Sequence, residues 1–414
     1  MTIFRNISYL QKQRFAPRQI LVPPYPGLGL VVVIPCHREP DLLMTLTQIE
    51  QADPPACPVE VIVVVNAGAS ASPAVQAQNA ATVAALKDWT ETPRRYRYFV
   101  LHFPALPDAH AGIGLARKIG MDEAVDRLEQ AGNPQGIITC LHADASPDTG
   151  YLRELVAHFQ AHPRTEAACV ALAYETSASP DQTEGIVWHE LGMRYHIQAL
   201  RRAGHPQAWY PAGTAMAVRA DAYQLRGGMN RRKTASDFHF LHKFTAEGTF
   251  KPCHRTTVRV SARPSDRIPF GAGKAVADWL QGDQAVRFVP PLAVYEALGA
   301  FLASGPALFE GRQVDWPPVM ASFLTAQAFD QALPDMRRYG VKPASFQKRL
   351  LAWMDALRVV QYIHAAAAYF PEADLDRAAR DLLLRAGRLT PDAAAHLHPA
   401  ELLNLYRNWY QESD

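Results

Sequence analysis

The stretch LGLVVVIPCHRE, residues 28–39, joins an apolar, largely β-branched run to a polar end. A continuous apolar run of this length is typical of a strand that is buried on both faces. Residues 41–51 follow, with Leu42, Leu46 and Ile49 at helical spacing. The segment therefore predicts a strand and a helix of a parallel sheet, with polar groups at the carboxyl end of the strand.

The same alternation continues along the chain. Further strands are predicted at residues 59–65, 96–103, 136–141, 167–173 and 213–219, and helices at 114–130, 148–160, 184–203 and 237–247. Strands that alternate with helices indicate an α/β fold with a mixed, mostly parallel sheet flanked by helices. In such sheets the ligand binds at the carboxyl ends of the strands.

Three regions are expected. Residues 1–26 end in Val22-Pro-Pro-Tyr-Pro26 and predict an N-terminal extended arm, and residues 27–287 form the α/β domain. Within that domain, residues 259–274 are rich in Gly, Pro and Arg and predict a functional loop. Amphipathic helices such as 345–370 and 374–386, and a helix start at Thr390-Pro391-Asp392, predict a C-terminal all-α domain over 288–414, where the strands stop.

Composition narrows the classes of protein. The 414 residues are 48% hydrophobic and 20% charged, which excludes global disorder, and a net charge of +2 gives no sign of bulk nucleic-acid binding. The five cysteines form no CxxC pair and are expected to be buried thiols in a reducing compartment. Neither a signal peptide nor a membrane-length apolar run is found, so we expect a cytoplasmic protein with no transmembrane segment, and leave peripheral membrane contact open.

The strand ends supply the candidate chemistry. No G-x-G-x-x-G follows the first strand, where the glycine-rich motif of dinucleotide-binding folds is required, so that motif is missing. The fourth strand ends at His142-Ala143-Asp144, and carboxylate and imidazole suit Mg²⁺ or Mn²⁺ holding a diphosphate. Asp144 is alternatively a helix N-cap, although Asp148 is the better cap. His254 is a further candidate metal ligand, with a structural role as the alternative.

Other segments are predicted to place charged residues at the same carboxyl edge of the sheet. Gly112 and Gly114 open a helix whose N-terminus favours phosphate, and Arg117 adds a cation; a plain loop-to-helix junction is the alternative. Asp237, at a helix start, is a candidate general base or an N-cap. A basic loop is interpreted either as a lid over phosphates or as a solvated segment. Its cations are Arg263, Arg267 and Lys274.

Taken in order, five landmarks resemble the family 2 glycosyltransferases of the GT-A fold over residues 28–275. They are Val32-Val-Ile-Pro-Cys-His-Arg-Glu39, Val61-Ile-Val-Val-Val-Asn66, Gly114-Leu-Ala-Arg117-Lys118-Ile-Gly120, His142-Ala-Asp144 in place of D-x-D, and Ser236-Asp237 in place of E-D. The resemblance implies a GT-A nucleotide-diphospho-sugar transferase domain.

The resemblance also implies roles for single residues. Pro35, His37 and Glu39 would line the nucleoside pocket, and Asn66 would contact the base. Arg117 would lie near the donor, Asp144 would bind Mn²⁺ or Mg²⁺, and Asp237 would deprotonate the acceptor. His142, Ser236 and Asn66 depart from the family pattern, which puts metal charge compensation and base identity in doubt.

The expected activity is transfer of a sugar from a UDP- or GDP-sugar to an acceptor hydroxyl, metal-dependent and inverting. The alternative is a catalytically weak nucleotide-sugar-binding scaffold with a partner-binding helical tail. A nucleotidyltransferase is disfavoured, because Cys36-His-Arg-Glu39 is not a Gly-rich phosphate loop. The C-terminal helices are expected to form a homodimer, to cover the acceptor site or to touch a membrane.

Overall fold

Eight strands form one sheet. They are β1 (Leu30–Cys36), β2 (Val59–Gly68), β3 (Arg97–Leu106), β4 (Ile137–Leu141), β5 (Ala145–Pro147), β6 (Ala167–Tyr174), β7 (Ala215–Arg219) and β8 (Cys253–Val260). Their order across the sheet is β3-β2-β1-β4-β7-β6-β8-β5. The strands β3, β2, β1 and β4 run parallel, whereas β7 is antiparallel to both β4 and β6. The computed structural model describes residues 9–177, 179–209, 213–245, 247–265 and 271–412.

Between residues 42 and 245, the described part of the chain forms seven helices. They are α1 (Leu42–Gln51), α2 (Pro73–Glu91), α3 (Ile113–Gln130), α4 (Tyr151–Ala161), α5 (Pro180–Arg202), α6 (Ala220–Leu225) and α7 (Ser236–Thr245). Together with the helices that follow, they confirm the mixed α/β class with a GT-A-like sheet and a C-terminal helical region. The helix α2 was not predicted, although Ser72 caps it by accepting from the Val75 N–H at 3.4 Å.

The chain divides into two compact units. One comprises Met1–Glu175 with Pro211–Ser261, and the other comprises Thr176–Tyr210 with Ala262–Asp414. The helix α5 thus groups with the C-terminal helices, whereas the sequence analysis assigned it to residues 27–287. The expected domain boundaries stay a prediction, because spatial grouping alone does not show which segments fold independently.

The first unit is organised by buried strands and by the close approach of α3. Every residue of β1 is buried, as the continuous apolar run predicted. The helix α3 packs on β1 and β2, and Gly120 permits this contact, because a Cβ there would lie 2.4 Å from Val33 Cγ1. This packing brings the N-terminal turn of α3 to the carboxyl edge of the sheet.

The N-terminal segment lies along the same helix. Residues 9–13 form a helical turn, so the described part of the predicted extended arm is only partly extended. Farther along, the backbone N–H of Ile20 donates to Glu123 at 2.8 Å, and Arg14 pairs with Asp126 at 2.9 Å. Acidic side chains of α3 therefore hold the segment in place.

A buried ion pair joins α3 to the sheet. Glu60 interrupts the apolar run of β2 and is fully buried, as is Arg127 of α3. The guanidinium donates to both carboxylate oxygens, at 2.7 Å from Nε and 2.6 Å from Nη2. This bidentate geometry offsets the cost of removing both charges from water.

The second unit is helical around α5. Its other helices are α8 (Ala272–Leu280), α9 (Leu292–Ala303), α10 (Gly305–Phe309), α11 (Pro318–Ala326), α12 (Phe329–Tyr339), α13 (Pro343–Trp353), α14 (Ala356–Ala366), α15 (Leu375–Arg385), α16 (Pro391–Ala394) and α17 (Pro399–Gln411). Leu191 and Tyr195 of α5 lie in a core with Leu298, Phe301 and other buried side chains of these helices.

Two details of this unit differ from expectation. The predicted helix over 345–370 is interrupted at Met354, because Asp355 caps α14 by accepting from the Arg358 N–H at 2.9 Å. Strands do not stop at residue 288: Phe288–Val289 and Ala373–Asp374 form a short antiparallel pair. Within the described ranges, no helix combines the length and apolar character needed to cross a membrane.

The Glu60–Arg127 pair yields a stability prediction. Arg127→Met leaves a buried carboxylate without its bidentate partner, so we expect the urea unfolding free energy of the first unit to fall by about 3–5 kcal/mol. Arg153→Met is the control, since its pair with Asp53 is about half exposed and should contribute less than about 1 kcal/mol. Equal losses in the two variants would contradict the interpretation.

Buried imidazoles yield a pH prediction for the second unit. Burial lowers the pKa of His196, which contacts the Tyr295 hydroxyl at 2.8 Å, to about 4, and it lowers the pKa of His205 as well. Because the unfolded chain takes up these protons near pH 6.5, stability is full above that pH and falls as the pH drops toward 4.

For His196, which is partly exposed, we expect a loss of about 2 kcal/mol across this window. Thermal unfolding midpoints measured as the pH is lowered should decline less steeply in His196→Gln. The exposed His364→Gln should keep the wild-type slope, and identical slopes in all three proteins would count against the assignment.

Candidate functional site

The turn after β1 meets the last residues of β2 at the carboxyl edge of the sheet. The Nδ1 atom of His37 lies 2.8 Å from the backbone oxygen of Asn66. Pro35 is buried at the end of β1, and Glu39 is 1% exposed, with Oε1 accepting from the Asp41 N–H at 3.1 Å. The four residues predicted for a nucleoside pocket thus lie at the end of β1, in the turn after it and near the end of β2.

Asn79 of α2, which the sequence analysis did not single out, links these segments. Its Nδ2 donates to the Asn66 oxygen at 3.0 Å, and its Oδ1 accepts from the Arg38 N–H at 2.9 Å. Arg38 has a φ of 49°, in the left-handed region that non-glycine residues rarely occupy. The fully buried amide of Asn79 therefore stabilises a strained turn beside His37.

Arg117 connects the end of β4 to the start of α7. It is 1% exposed, and its guanidinium donates to His142 Nε2 at 3.0 Å and to Ser236 Oγ at 3.1 Å. Its Nη1 lies 3.9 Å from Asp237 Oδ2. One buried cation thus unites three of the predicted landmarks.

The contacts of His142 define its tautomer. Arginine is always a donor, so Nε2 accepts from Arg117, and Nδ1 carries the proton at 3.1 Å from Thr214 Oγ1. Asp144 Oδ1 lies 3.9 Å from Nδ1, beyond hydrogen-bond distance. A metal ion would need the lone pair on Nε2, and this lone pair already accepts a hydrogen bond from Arg117.

Asp237 is held at the edge of the cluster. Its Oδ2 accepts from the Gly213 N–H at 3.0 Å, and its side chain is 26% exposed. Gly213 has no room for a Cβ, which would lie 2.0 Å from that oxygen. Ala235, two residues before Asp237, has a φ of 52°, so strained backbone again accompanies a predicted site residue.

His254 is not brought to this cluster. It lies near the amino end of β8, whereas β5, which follows Asp144, pairs with the carboxyl end of that strand through Ala145 and Val260. Among the described residues, no three or more His, Cys, Asp or Glu side chains come together as a metal site.

The predicted lid lies in the second unit. Lys274 is in α8, where it forms an ion pair with Asp278 one turn later, and the loop of Arg263 contacts the start of that helix through a hydrogen bond of 2.9 Å from Ser265 N to Gly273 O. Arg267 lies outside the described residues. The role of these cations stays a prediction.

A run of cations beside Asp237 was missed. Arg231, Arg232 and Lys233 are all exposed, and the carbonyl oxygen of Arg232 would lie 2.2 Å from a Cβ at Gly114. The loop therefore crosses the N-terminal turn of α3. Three consecutive cations shortly before the candidate base were the signal in the sequence.

Two neighbouring groups have shifted pKa values. Burial raises the pKa of the Cys140 thiol to about 12, although Arg117 opposes the shift. Burial, aided by the positive charge of Arg232, lowers the pKa of His239 on α7. Cys140 is therefore an inert thiol beneath the cluster, and His239 adds no charge near neutral pH.

A cavity of about 780 Å³ lies elsewhere in the first unit. Lys12, Arg164, Arg219 and Gln224 are among its lining residues, and it opens at the edge where β7 ends rather than where β4 ends. None of the predicted site residues lines it.

Comparisons with known proteins find similar structures but do not assign this chain to a family. No protein-family model matches the sequence, and no curated protein gives a significant match. Two solved structures of S. aureus TarS 1-349 are similar. The complex with UDP has 11% identity and a TM-score of 0.40, over 83% of this chain and 91% of that one. The complex with UDP-GlcNAc has 12% identity and a TM-score of 0.39, over 94% and 93%.

The mannosyltransferase PcManGT from Pyrobaculum calidifontis, in complex with GDP-Man and Mn²⁺, is similar over 100% of this chain and 96% of its own. Its identity is 14% and its TM-score is 0.36. At these values the similarity assigns neither a substrate nor a mechanism.

Proposed function

We propose that this chain is a glycosyltransferase that moves a sugar from a nucleoside diphosphate donor, UDP- or GDP-linked, to an acceptor hydroxyl. The observation that carries the proposal is the Arg117 cluster. A buried guanidinium lies 3.0 Å from the ring of His142 and 3.9 Å from the carboxylate of Asp237, at the carboxyl edge of the sheet. That edge is where open α/β sheets bind their ligands.

The nucleoside is assigned to the segments of His37 and Asn66. Their mutual contact of 2.8 Å and the support from Asn79 give a preorganised wall, which reduces the ordering needed on binding. Pro35 and Glu39 complete this wall in the proposal. Asn66 in place of the commoner Asp leaves UDP and GDP as donors to be separated by experiment.

The residues present fit a divalent cation through Asp144. Mg²⁺ in particular is commonly held by one or two protein carboxylates together with substrate phosphates, and Asp144 supplies one such carboxylate. His142 is not assigned as a ligand, since its Nε2 accepts from Arg117. When bound, the cation would neutralise charge on the leaving diphosphate.

Asp237 is assigned as the general base. Its carboxylate is fixed by the Gly213 N–H and remains 26% exposed, so an acceptor hydroxyl can reach it. In the proposed step the carboxylate takes the hydroxyl proton while the oxygen bonds to the anomeric carbon. The bond to the diphosphate breaks on the opposite face, and the configuration inverts. The lid role of Arg263, Arg267 and Lys274 belongs to the same proposal.

Asp237→Asn tests the base. The amide oxygen can still accept from Gly213, so folding and donor binding should persist while transfer falls by about 10²–10⁴-fold. Transfer is measured with a panel of UDP- and GDP-sugars and hydroxyl acceptors, and donor binding by calorimetry.

The control is Asp221→Asn, which removes a carboxylate at the other edge of the sheet and should leave transfer unchanged. Full transfer by Asp237→Asn would refute the base assignment. Tight nucleotide binding without transfer from any donor of the panel would favour the scaffold alternative.

Asp144→Ala tests the cation site. We expect Mn²⁺ to strengthen nucleotide binding to the wild type and to have little effect on the variant, because the carboxylate ligand is gone. Calorimetry with UDP or GDP, with and without Mn²⁺, gives the difference directly. Asp53→Ala, at a surface ion pair, should behave as the wild type. A Mn²⁺ effect that survives in Asp144→Ala would remove this residue from the cation site.

A further inference from the structure

The turn between α12 and α13 forms a surface unrelated to the Arg117 cluster. We call residues 337–349 the basic tip. It contains five cations, which are Arg337, Arg338, Lys342, Lys348 and Arg349. No acidic residue occurs between Asp335 and Asp355, and none of the five pairs with a carboxylate among the described residues. Because the whole chain has a net charge of +2, the remainder is net acidic.

The basic tip is rigidly built. Gly340 donates its N–H to Met336 O at 2.8 Å and is tightly enclosed, since a Cβ there would lie 2.8 Å from Phe346 Cα. Phe346 is fully buried and donates its N–H to Lys342 O at 2.9 Å. Arg337 Nε donates to Leu308 O at 2.9 Å. These contacts fix the backbone of the turn, so the backbone needs little further ordering on binding.

Large apolar side chains stand at its apex. Val341 is 75% exposed and Tyr339 is 56% exposed. The guanidinium carbons of Arg338 and Arg349 lie 5.4 and 5.5 Å from the centre of the Tyr339 ring. Cations thus border the exposed apolar groups, an arrangement that suits the boundary between lipid headgroups and acyl chains.

We propose that the basic tip docks on an anionic lipid surface, with Val341 and Tyr339 entering the headgroup layer. The exposed cations contact lipid phosphates; they are Arg338, Lys342, Lys348 and Arg349. Lysines and arginines near an anionic leaflet add binding energy, and an amphipathic aromatic ring prefers this depth. The proposal does not depend on transferase activity.

The exposed residues of the tip favour binding to a lipid surface over binding to nucleic acid. Recognition of single-stranded nucleic acid uses a basic groove with aromatic platforms on which bases stack. Here the cations lie on a turn between two helices, and the exposed aromatic ring, Tyr339, has an arginine near it from each helix. The exposed Val341 also has no role in binding a polyanion, whereas it gains from leaving water at a lipid surface.

Sedimentation of the full chain with vesicles tests the proposal. We expect binding to phosphatidylcholine vesicles that contain phosphatidylglycerol, little binding to phosphatidylcholine alone, and weakening by salt. Lys342→Gln combined with Lys348→Gln removes two exposed charges and should weaken binding by about twentyfold. Lys12→Gln with Arg164→Gln removes two exposed charges from the first unit and should have little effect.

Val341→Ser keeps the charge and tests insertion, with an expected weakening of several-fold. Equal losses from the two double variants, or equal binding to both vesicle types, would overturn the docking assignment. Unchanged binding by Val341→Ser would overturn insertion. If the chain bound a homopolymer RNA through Lys342 and Lys348 but did not bind vesicles, the ligand of the tip would be nucleic acid and not lipid.

Discussion

The buried guanidinium of Arg117 constrains the rest of the candidate site. A charge removed from water must be surrounded by acceptors, and Arg117 finds them on two segments that are distant in the sequence, at His142 and at Ser236. The end of β4 and the start of α7 are therefore held in one arrangement. Asp237 takes its position from the same contacts, aided by the Gly213 N–H.

The position of Arg117 depends in turn on how α3 is fixed. Gly120 lets the helix approach β1, and Arg127, farther along, is bound to Glu60 inside the sheet. Acidic side chains of the same helix hold the N-terminal segment, as at Glu123. The helix α3 therefore carries both Arg127, which binds it to the sheet, and Arg117, which holds the candidate site together. A shift of α3 along the sheet would also move the residues of the site.

Elements that follow from the periodicity of apolar residues were predicted from the sequence, whereas features that depend on contacts between distant residues were missed. The apolar runs of β1 and of β2, the second broken by Glu60, left little choice of structure. The helix α2 was missed because its alanine-rich sequence has weak amphipathic character. Asn79 was missed for a related reason: an asparagine on a helix has no local sign that its amide joins two segments. The separation of His254 from Asp144 follows from strand pairing, which spacing along the chain does not reveal.

The histidine at position 142 has an electrostatic consequence. An aspartate there would form an ion pair with Arg117 and would offset its charge close to the place assigned to the diphosphate. The imidazole, with its proton on Nδ1, accepts the same N–H as a neutral group and adds no negative charge beside Arg117, so Asp237, 3.9 Å away, is the carboxylate that pairs with it. In the proposed site, Asp144 as the single metal carboxylate would bind its cation less strongly, and the buried charge of Arg117 would compensate for part of that loss at the diphosphate. The departure from D-x-D would then be compatible with the proposed transfer, because stabilisation of the leaving group would shift from the metal toward the protein.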